Sequence, residues 1–143
     1  MEKKKGKKEF GNVVRIQIPS HPRFASIARN FIFQIAREEG FGYYESADIK
    51  LITGEAIHYI TKYAYKNRVD LPIFIEVMLL PGKMEIRIRD FGEKLEESKI
   101  TGYDLSDYRF DGLGMYIIKN LADHFYLDTS LEKGNQIILM KLK

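Results

Sequence analysis

The chain has 143 residues, of which 45% are hydrophobic and 30% are charged, which predicts one globular domain with its own core and argues against a disordered chain. The absence of cysteine excludes disulfides and thiolate metal sites, and no apolar run is long enough for a bilayer span or a secretory signal. The net charge of +3 comes from residues 1–10, because the other residues hold 18 basic and 18 acidic side chains.

Residues 1–10 are predicted to form a basic, disordered tail, and residues 11–143 a single folded domain. A basic tail can contact nucleic acid or anionic lipid. The folded body carries no excess of positive charge, so we predict neither a specific nucleic-acid partner nor a membrane partner. The absence of a signal segment leads us to expect a cytoplasmic protein.

The chain begins with a predicted strand, in which Val14, Ile16 and Ile18 alternate with polar residues until Pro19. Ser20 is the predicted N-cap of a first helix that extends to about Glu39. A second helix is predicted from about Glu45 or Ser46 to about Lys66–Asn67. The predicted core stripe of the first helix is Phe24, Ile27, Ala28, Phe31 and Ile35.

The second half of the chain contains a predicted hairpin, a long loop, a third helix and two closing strands. The apolar run 72–80 meets Pro81-Gly82, and alternating residues follow. Residues 93–111 show no period and are predicted to be a mobile loop. The third helix directs Met115 and Ile118 inward, and strands follow over 125–131 and 136–143. This order predicts an α+β fold, a two-layer α/β sandwich whose mixed, mostly antiparallel sheet is covered by helices on one face.

Three segments carry groups suited to nucleotide chemistry. Asp90-Phe91-Gly92 follows a strand, where a carboxylate can accept a hydrogen bond from an amino group and Gly92 leaves room for a flat ring. Gly112-Leu113-Gly114 comes directly before a predicted helix, where exposed amides and the helix dipole favour phosphate. A plain turn and a flexible helix start are the alternative interpretations of these two segments.

The third segment is the second helix, which places Glu55 beside its apolar stripe. A carboxylate there can orient a hydroxyl or a water as a general base. Lys62, two turns further along, can reach an anion. The alternative is a solvated glutamate that pairs with Lys62 or Lys66.

In this order the segments resemble the histidine-kinase-like ATPase superfamily, in particular its small members, the anti-sigma-factor serine kinases of bacterial partner switching. The sequence "ADIKLITGEAIHYITKYAY" resembles their N-box helix, "RIRDFG" their G1 box and "GLGMYIIKNLADHF" their G2 box. The resemblance extends from about Val13 to Lys143 and implies the fold predicted above.

The resemblance also implies a role for each of these residues. Asp90 would bind the adenine amino group with Gly92 lining the ring, and Asn135 stands where relatives often have a threonine near the adenine. The segment Gly112-Leu113-Gly114 would hold the phosphates at the base of a lid formed by residues 93–111.

The N-box helix would supply the remaining roles. Glu55 would be the general base, and Lys62 would contact phosphate. The family has a Mg²⁺-binding asparagine four residues after the glutamate, whereas this chain has Tyr59, whose neutral phenol is a poor Mg²⁺ ligand. Tyr63 likewise stands where a histidine is usual. Because phosphoryl transfer relies on metal neutralisation of charge, Tyr59 argues against Mg²⁺ use and against strong kinase activity.

The leading hypothesis is an anti-sigma-factor-like regulator that binds ATP or ADP and a protein partner, either a sigma factor or an anti-sigma-factor antagonist. An active protein-serine kinase that phosphorylates such an antagonist is the first alternative. A protein-interaction module that has lost nucleotide, with Tyr59 in its pocket, is the second. Relatives of this kind tend to be dimers, so a homodimer is expected, and no protein-bound metal is predicted.

Overall fold

The computed structural model describes residues 12–96 and 110–143, with side chains described from Gly114 onwards in the second range. The predicted tail 1–10 and residues 97–109 of the predicted lid lie outside the described residues. The strands are β1 (Val13–Pro19), β2 (Pro72–Leu80), β3 (Lys83–Asp90), β4 (His124–Asp128) and β5 (Asn135–Leu142). The helices are α1 (Pro22–Glu38), α2 (Tyr43–Tyr59), a π-helix (Ile60–Ala64) and α3 (Phe110–Leu121).

The strands form one sheet in the order β1-β2-β3-β5-β4, and every neighbouring pair is antiparallel. The predicted two-layer α+β sandwich is confirmed, with the helices packed on one face over a core rich in isoleucine. The sheet was predicted to be mixed, but its described strands are paired only in the antiparallel direction. Strand β3 is central, and its register with β5 places Asp90 opposite Asn135. No helix within the described ranges has both the length and the apolar character needed to cross a membrane.

The predicted core stripe of α1 is wrong at two positions. Ile27 and Phe31 are 56% and 44% exposed, whereas the buried residues are Ala28, Ile32 and Ala36. Helix α1 packs mainly against α2, and this contact selects a face rotated towards Ile32. Helical periodicity locates the apolar half of a helix but does not decide which part of it meets the neighbour.

The predicted cap of α1 is also corrected. The N-cap is His21, whose Nδ1 accepts a hydrogen bond from Arg23 N at 3.0 Å. Ser20 is buried, and its hydroxyl donates to Arg68 O at 2.6 Å and accepts from Leu71 N at 3.2 Å. Ser20 therefore ties the end of β1 to the loop before β2, which leaves it unable to cap the helix.

The helix that carries Glu55 differs from the prediction at both ends. It begins at Tyr43, because Gly42 is its N-cap and Gly42 N donates to Glu45 Oε2 at 2.8 Å. Its α-helical part ends at Tyr59, and the chain continues as the π-helix. Such wide turns are rare and often occur at functional sites.

The third helix and the fourth strand also have shifted boundaries. Helix α3 begins at Phe110, so Gly112, Leu113 and Gly114 lie within its first turns and not ahead of it. Strand β4 ends at Asp128, because the Asp128 carboxylate accepts hydrogen bonds from Ser130 N at 2.9 Å and Ser130 Oγ at 2.6 Å. Such a local turn competes with the strand pairing that was predicted to continue to residue 131.

Candidate functional site

The structure places the predicted site residues in two separate locations. The first is a cavity of about 610 Å³ along α2, to which Glu55, Tyr59, Lys62 and Gly114 contribute. The second is a buried cluster around Asp90, where β3 ends. Gly112 and Leu113 lie on the first turn of α3, one residue before the cavity wall formed by Gly114.

Glu55 lies against the start of α3. A Cβ atom at Gly114 would be 2.6 Å from Glu55 Oε2, so a larger residue there would require the carboxylate to shift. Among the described residues, neither Lys62 nor Lys66 forms an ion pair with Glu55, which leaves the ion-pair interpretation unsupported. A carboxylate near a helix N-terminus is favoured by the helix dipole, and this geometry keeps Glu55 at the cavity surface.

Tyr59 forms part of the cavity wall and is only 8% exposed. Its ring packs on that of Tyr63, with centroids 4.6 Å apart and planes inclined by 44°. Lys62 Nζ lies 5.6 Å from the centroid of the Tyr63 ring. Two aromatic rings therefore occupy the positions at which the family pattern has an asparagine and a histidine.

These residues do not form a suitable Mg²⁺ site. No group of three or more histidine, aspartate or glutamate side chains in residues 12–96 and 114–143 is arranged to hold a metal ion. Glu55 is the one carboxylate in the described cavity wall, and Mg²⁺ prefers several oxygen ligands in octahedral geometry. The expectation about Mg²⁺ that was drawn from Tyr59 stays a prediction.

The same cavity contains basic side chains that sequence reasoning did not assign to a site. Arg29 comes from α1, and Lys50 and His58 come from α2. Helical spacing from Glu55 could have identified His58, which is three residues further along, whereas Lys50 is five residues before Glu55 and had a weaker signal. Arg29 had no such signal, because only the packing of α1 against α2 brings it to the cavity.

The Asp90 carboxylate is buried and already hydrogen-bonded. Gly92 N donates to Asp90 Oδ1 at 2.9 Å, and Asn135 Nδ2 donates to Oδ1 and Oδ2 at 3.0 and 3.2 Å. Asp90 and Asn135 are both 0% exposed. The Asn135 amide therefore occupies the donor position that the resemblance assigns to an adenine amino group.

The rest of the Asn135 side chain is held by the segment that follows β3. Asn135 Nδ2 also donates to Glu93 O at 2.9 Å, and Asn135 Oδ1 accepts from Leu95 N at 2.8 Å. Leu95 is itself buried. Displacement of the Asn135 amide from Asp90 would therefore also break its hydrogen bonds to the segment after β3.

Gly92 does not leave the open space that was expected for a ring. A Cβ atom there would be 2.3 Å from Ala64 O, and Glu93 N donates to the same oxygen at 2.9 Å. Tyr65, which sequence reasoning missed, accepts from Phe91 N at 3.0 Å and donates to Pro72 O at 2.5 Å. The end of the π-helix therefore closes directly on the segment after β3.

A pH dependence follows from the burial of Asp90. Burial raises the pKa of this carboxyl above its usual 3.8, although hydrogen bonds from Gly92 and Asn135 act in the opposite direction. The pKa of Asp90 is therefore higher in the folded state than in the unfolded state. Such a carboxyl contributes its full stabilisation at pH values below the unfolded-state pKa, and this contribution is lost as the pH rises through the folded-state pKa.

We therefore expect the free energy of unfolding of the native protein, relative to Asp90→Asn, to fall as the pH rises from about 4 through the raised pKa. Urea denaturation of both proteins at a series of pH values measures this difference. Parallel curves would show that Asp90 titrates normally, because the other carboxylates are common to both proteins.

Comparison with known proteins agrees with this geometry. The model of the family described as "Histidine kinase-like ATPase domain" matches residues 18–141. The chain is 29% identical over 136 residues to the serine-protein kinase RsbW of Listeria monocytogenes, covering 90% of this chain and 85% of the relative. It is 28% identical over 138 residues to RsbW of Oceanobacillus iheyensis, covering 91% and 85%.

A solved structure has the same fold at low identity. A chain in the SiaB–SiaC complex from Pseudomonas aeruginosa superposes with a TM-score of 0.65 at 12% identity, covering 100% of this chain and 95% of that one. The match of the family model spans most of the chain and includes both locations described above. The chain belongs to the histidine kinase-like ATPase domain family.

Proposed function

We propose that this protein is a regulator of the anti-sigma-factor type, which binds a protein partner and, weakly, an adenine nucleotide, and which has weak or no kinase activity. The family and the RsbW relatives support a nucleotide-linked regulator. The observation that supports weak or absent kinase activity is the position of Tyr59. This residue is buried in the cavity wall beside Glu55, where the family pattern has a metal ligand. The partner is a sigma factor or an anti-sigma-factor antagonist.

The cavity supplies the phosphate end of the proposed site. Lys62 contributes positive charge, and the first turn of α3, with Gly112, Leu113 and Gly114, contributes backbone amides and the helix dipole. Glu55 is placed to orient a hydroxyl as a general base. Bound ATP would supply the phosphoryl group, and the missing oxygen ligand at residue 59 removes the main means of neutralising its charge.

The Asp90 cluster supplies the adenine end, and its closed arrangement predicts weak binding. An adenine amino group reaches the carboxylate only if the Asn135 amide leaves, which breaks its hydrogen bonds to Asp90, Glu93 and Leu95. Each such bond contributes about 1 kcal/mol net. The cost of opening is therefore several kcal/mol and is subtracted from the binding free energy.

Calorimetric titration of the native protein with ATP, ADP and GTP, each with and without Mg²⁺, tests this function. We expect weak ATP and ADP binding that depends little on Mg²⁺, and much weaker GTP binding, because GTP lacks the amino group that Asp90 is expected to accept from. Asn135→Thr removes the competing amide and should strengthen ATP binding by roughly tenfold, whereas Asp90→Asn should weaken it. Equal binding of ATP and GTP by the native protein would contradict the role of Asp90.

The closure of the Asp90 cluster favours a second candidate, a protein-interaction module that does not use nucleotide. That candidate predicts no calorimetric signal with any nucleotide, even for Asn135→Thr. An active serine kinase instead predicts Mg²⁺-dependent transfer from ATP to a serine on the partner, abolished by Glu55→Ala. Titration and transfer assays on the same preparations separate the three functions.

A further inference from the structure

Part of the cavity wall is formed by α1 and α2 residues that the proposed nucleotide site does not use. We define this cationic groove by Arg29, Lys50, Leu51, Gly54, His58 and Lys62. Arg29 from α1 packs against Gly54, with its Cδ 3.1 Å from the position that a Cβ atom at Gly54 would occupy. The α3 residue Ile117 forms part of the opposite wall.

The groove concentrates positive charge on a body that is otherwise balanced. Residues outside the tail hold equal numbers of basic and acidic side chains, yet the described wall of this cavity contains Arg29, Lys50 and Lys62 and one carboxylate, that of Glu55. Within the described residues no carboxylate pairs with Arg29 or Lys50, and Lys50 Nζ contacts only the Phe33 ring, at 5.8 Å from its centroid. These two cations are therefore available to an acidic ligand.

The spacing of the charges indicates the shape of that ligand. Lys50 and Lys62 lie twelve positions apart along the helix, which corresponds to roughly 17–18 Å at about 1.5 Å per residue. A nucleotide triphosphate concentrates its charge over a shorter distance, whereas about six residues of extended polypeptide span this length at about 3.3 Å each. Leu51, which is 43% exposed, adds an apolar contact that suits a peptide better than a phosphate backbone.

We propose that the cationic groove is a docking surface for an acidic segment of a partner protein, seated along α2 beside the phosphate end of the site. The proposal rests on the proposed function only in that the protein acts by binding another protein. A bound acidic segment would pass close to Glu55, which lies between Lys50 and Lys62 along the helix. Complementary charge of this kind increases the association rate and selects the correct partner.

Fluorescence anisotropy with a labelled peptide of about ten residues, composed of glutamate, serine and leucine, tests the proposal on the full chain. A matched peptide with glutamine in place of glutamate should bind at least about tenfold more weakly. The variant Arg29→Gln/Lys50→Gln keeps most of the aliphatic stems but loses two charges, and it should also bind the acidic peptide about tenfold more weakly.

The matched control is Lys119→Gln/Lys133→Gln, which removes the same charge from exposed positions outside the groove. It should bind the acidic peptide within about twofold of the native protein, and circular dichroism checks that both variants are folded. An equal loss in the control would overturn the proposal, because the tail or the overall charge would then explain binding. Equal binding of the two peptides, or no binding of either, would overturn it too.

Two further titrations test whether the groove binds nucleic acid or nucleotide instead of an acidic peptide. A labelled oligothymidine should bind more weakly than the acidic peptide, and tighter binding that depends on Arg29 and Lys50 would overturn the proposal in favour of nucleic acid.

ATP affinity, titrated on the same variants, should be unchanged. If Arg29→Gln/Lys50→Gln loses ATP binding but keeps peptide binding, the groove belongs to the nucleotide. If the native protein binds no nucleotide, the peptide result still stands. Failure of the proposed nucleotide binding is therefore distinguishable from failure of the groove proposal.

Discussion

Replacement of Gly134 by alanine is expected to lower the free energy of unfolding by about 3–5 kcal/mol. Gly134 has a φ of +71°, and a Cβ atom there would be 2.0 Å from Asp90 O and 2.6 Å from Phe91 Cα. These neighbours are backbone atoms of the last residue of β3 and of the residue that follows it, which cannot move aside cheaply. The left-handed conformation contributes about 1–2 kcal/mol of the loss, and the overlap contributes most of the rest.

Gly82→Ala provides the matched control for this effect. Gly82 has the same φ of +71°, but a Cβ atom there would have nothing within 4 Å, so we expect a loss of about 1 kcal/mol. Urea denaturation measured for both variants gives the difference, which isolates the packing of Gly134 against Asp90. Equal losses in the two variants would mean that the turn before β5 does not need this close approach.

Tyr59→Asn is expected to strengthen ATP binding in a Mg²⁺-dependent way by roughly tenfold. The substitution supplies an amide oxygen at the metal-ligand position of the family pattern and removes a ring from the cavity wall. One directed contact to hydrated Mg²⁺ contributes about 1–2 kcal/mol, by analogy with hydrogen bonds to charged groups, which corresponds to about a tenfold change in Kd. Calorimetry with ATP, with and without Mg²⁺, measures the effect.

Tyr59→Ala distinguishes the effect of an added metal ligand from the effect of removing the Tyr59 ring. It opens the cavity equally but offers no oxygen, so its ATP affinity should be insensitive to Mg²⁺. If both variants gain the same affinity, the Tyr59 ring acts as a plug and the metal ligand is irrelevant. A native protein that already binds ATP with strong Mg²⁺ dependence would overturn the reasoning from Tyr59, and thermal unfolding of each variant checks that loss of the Tyr59–Tyr63 contact leaves the fold intact.

Much of the candidate site was predictable because its chemistry is local in the sequence. Glu55, Tyr59 and Lys62 share one helix, and helical spacing alone predicts that they lie on neighbouring turns. The structure places all three at one cavity. The roles of these residues stay predictions, since they depend on the ligand as much as on the helix.

The fold was predictable for a similar reason. The alternation in β1 and β3, the Pro81-Gly82 turn and the helical stripe of α2 are patterns of adjacent residues, and each of these elements is present in the structure. Errors arose where a neighbour decides the outcome. Ile27 and Phe31 are exposed because α2 contacts another face of α1, and Ser20 does not cap α1 because its hydroxyl bonds Arg68 and Leu71.

The sequence by itself determined the order of the elements and the placement of Glu55 beside an apolar stripe, because these depend on residue type and short spacing. Only the tertiary structure decided that Asn135, 45 residues from Asp90 in the sequence, occupies its carboxylate. The physical reason is that the β3–β5 register and the close approach of Gly134 to β3 exist only in the assembled sheet, where burial leaves the carboxylate dependent on a partner from the chain itself.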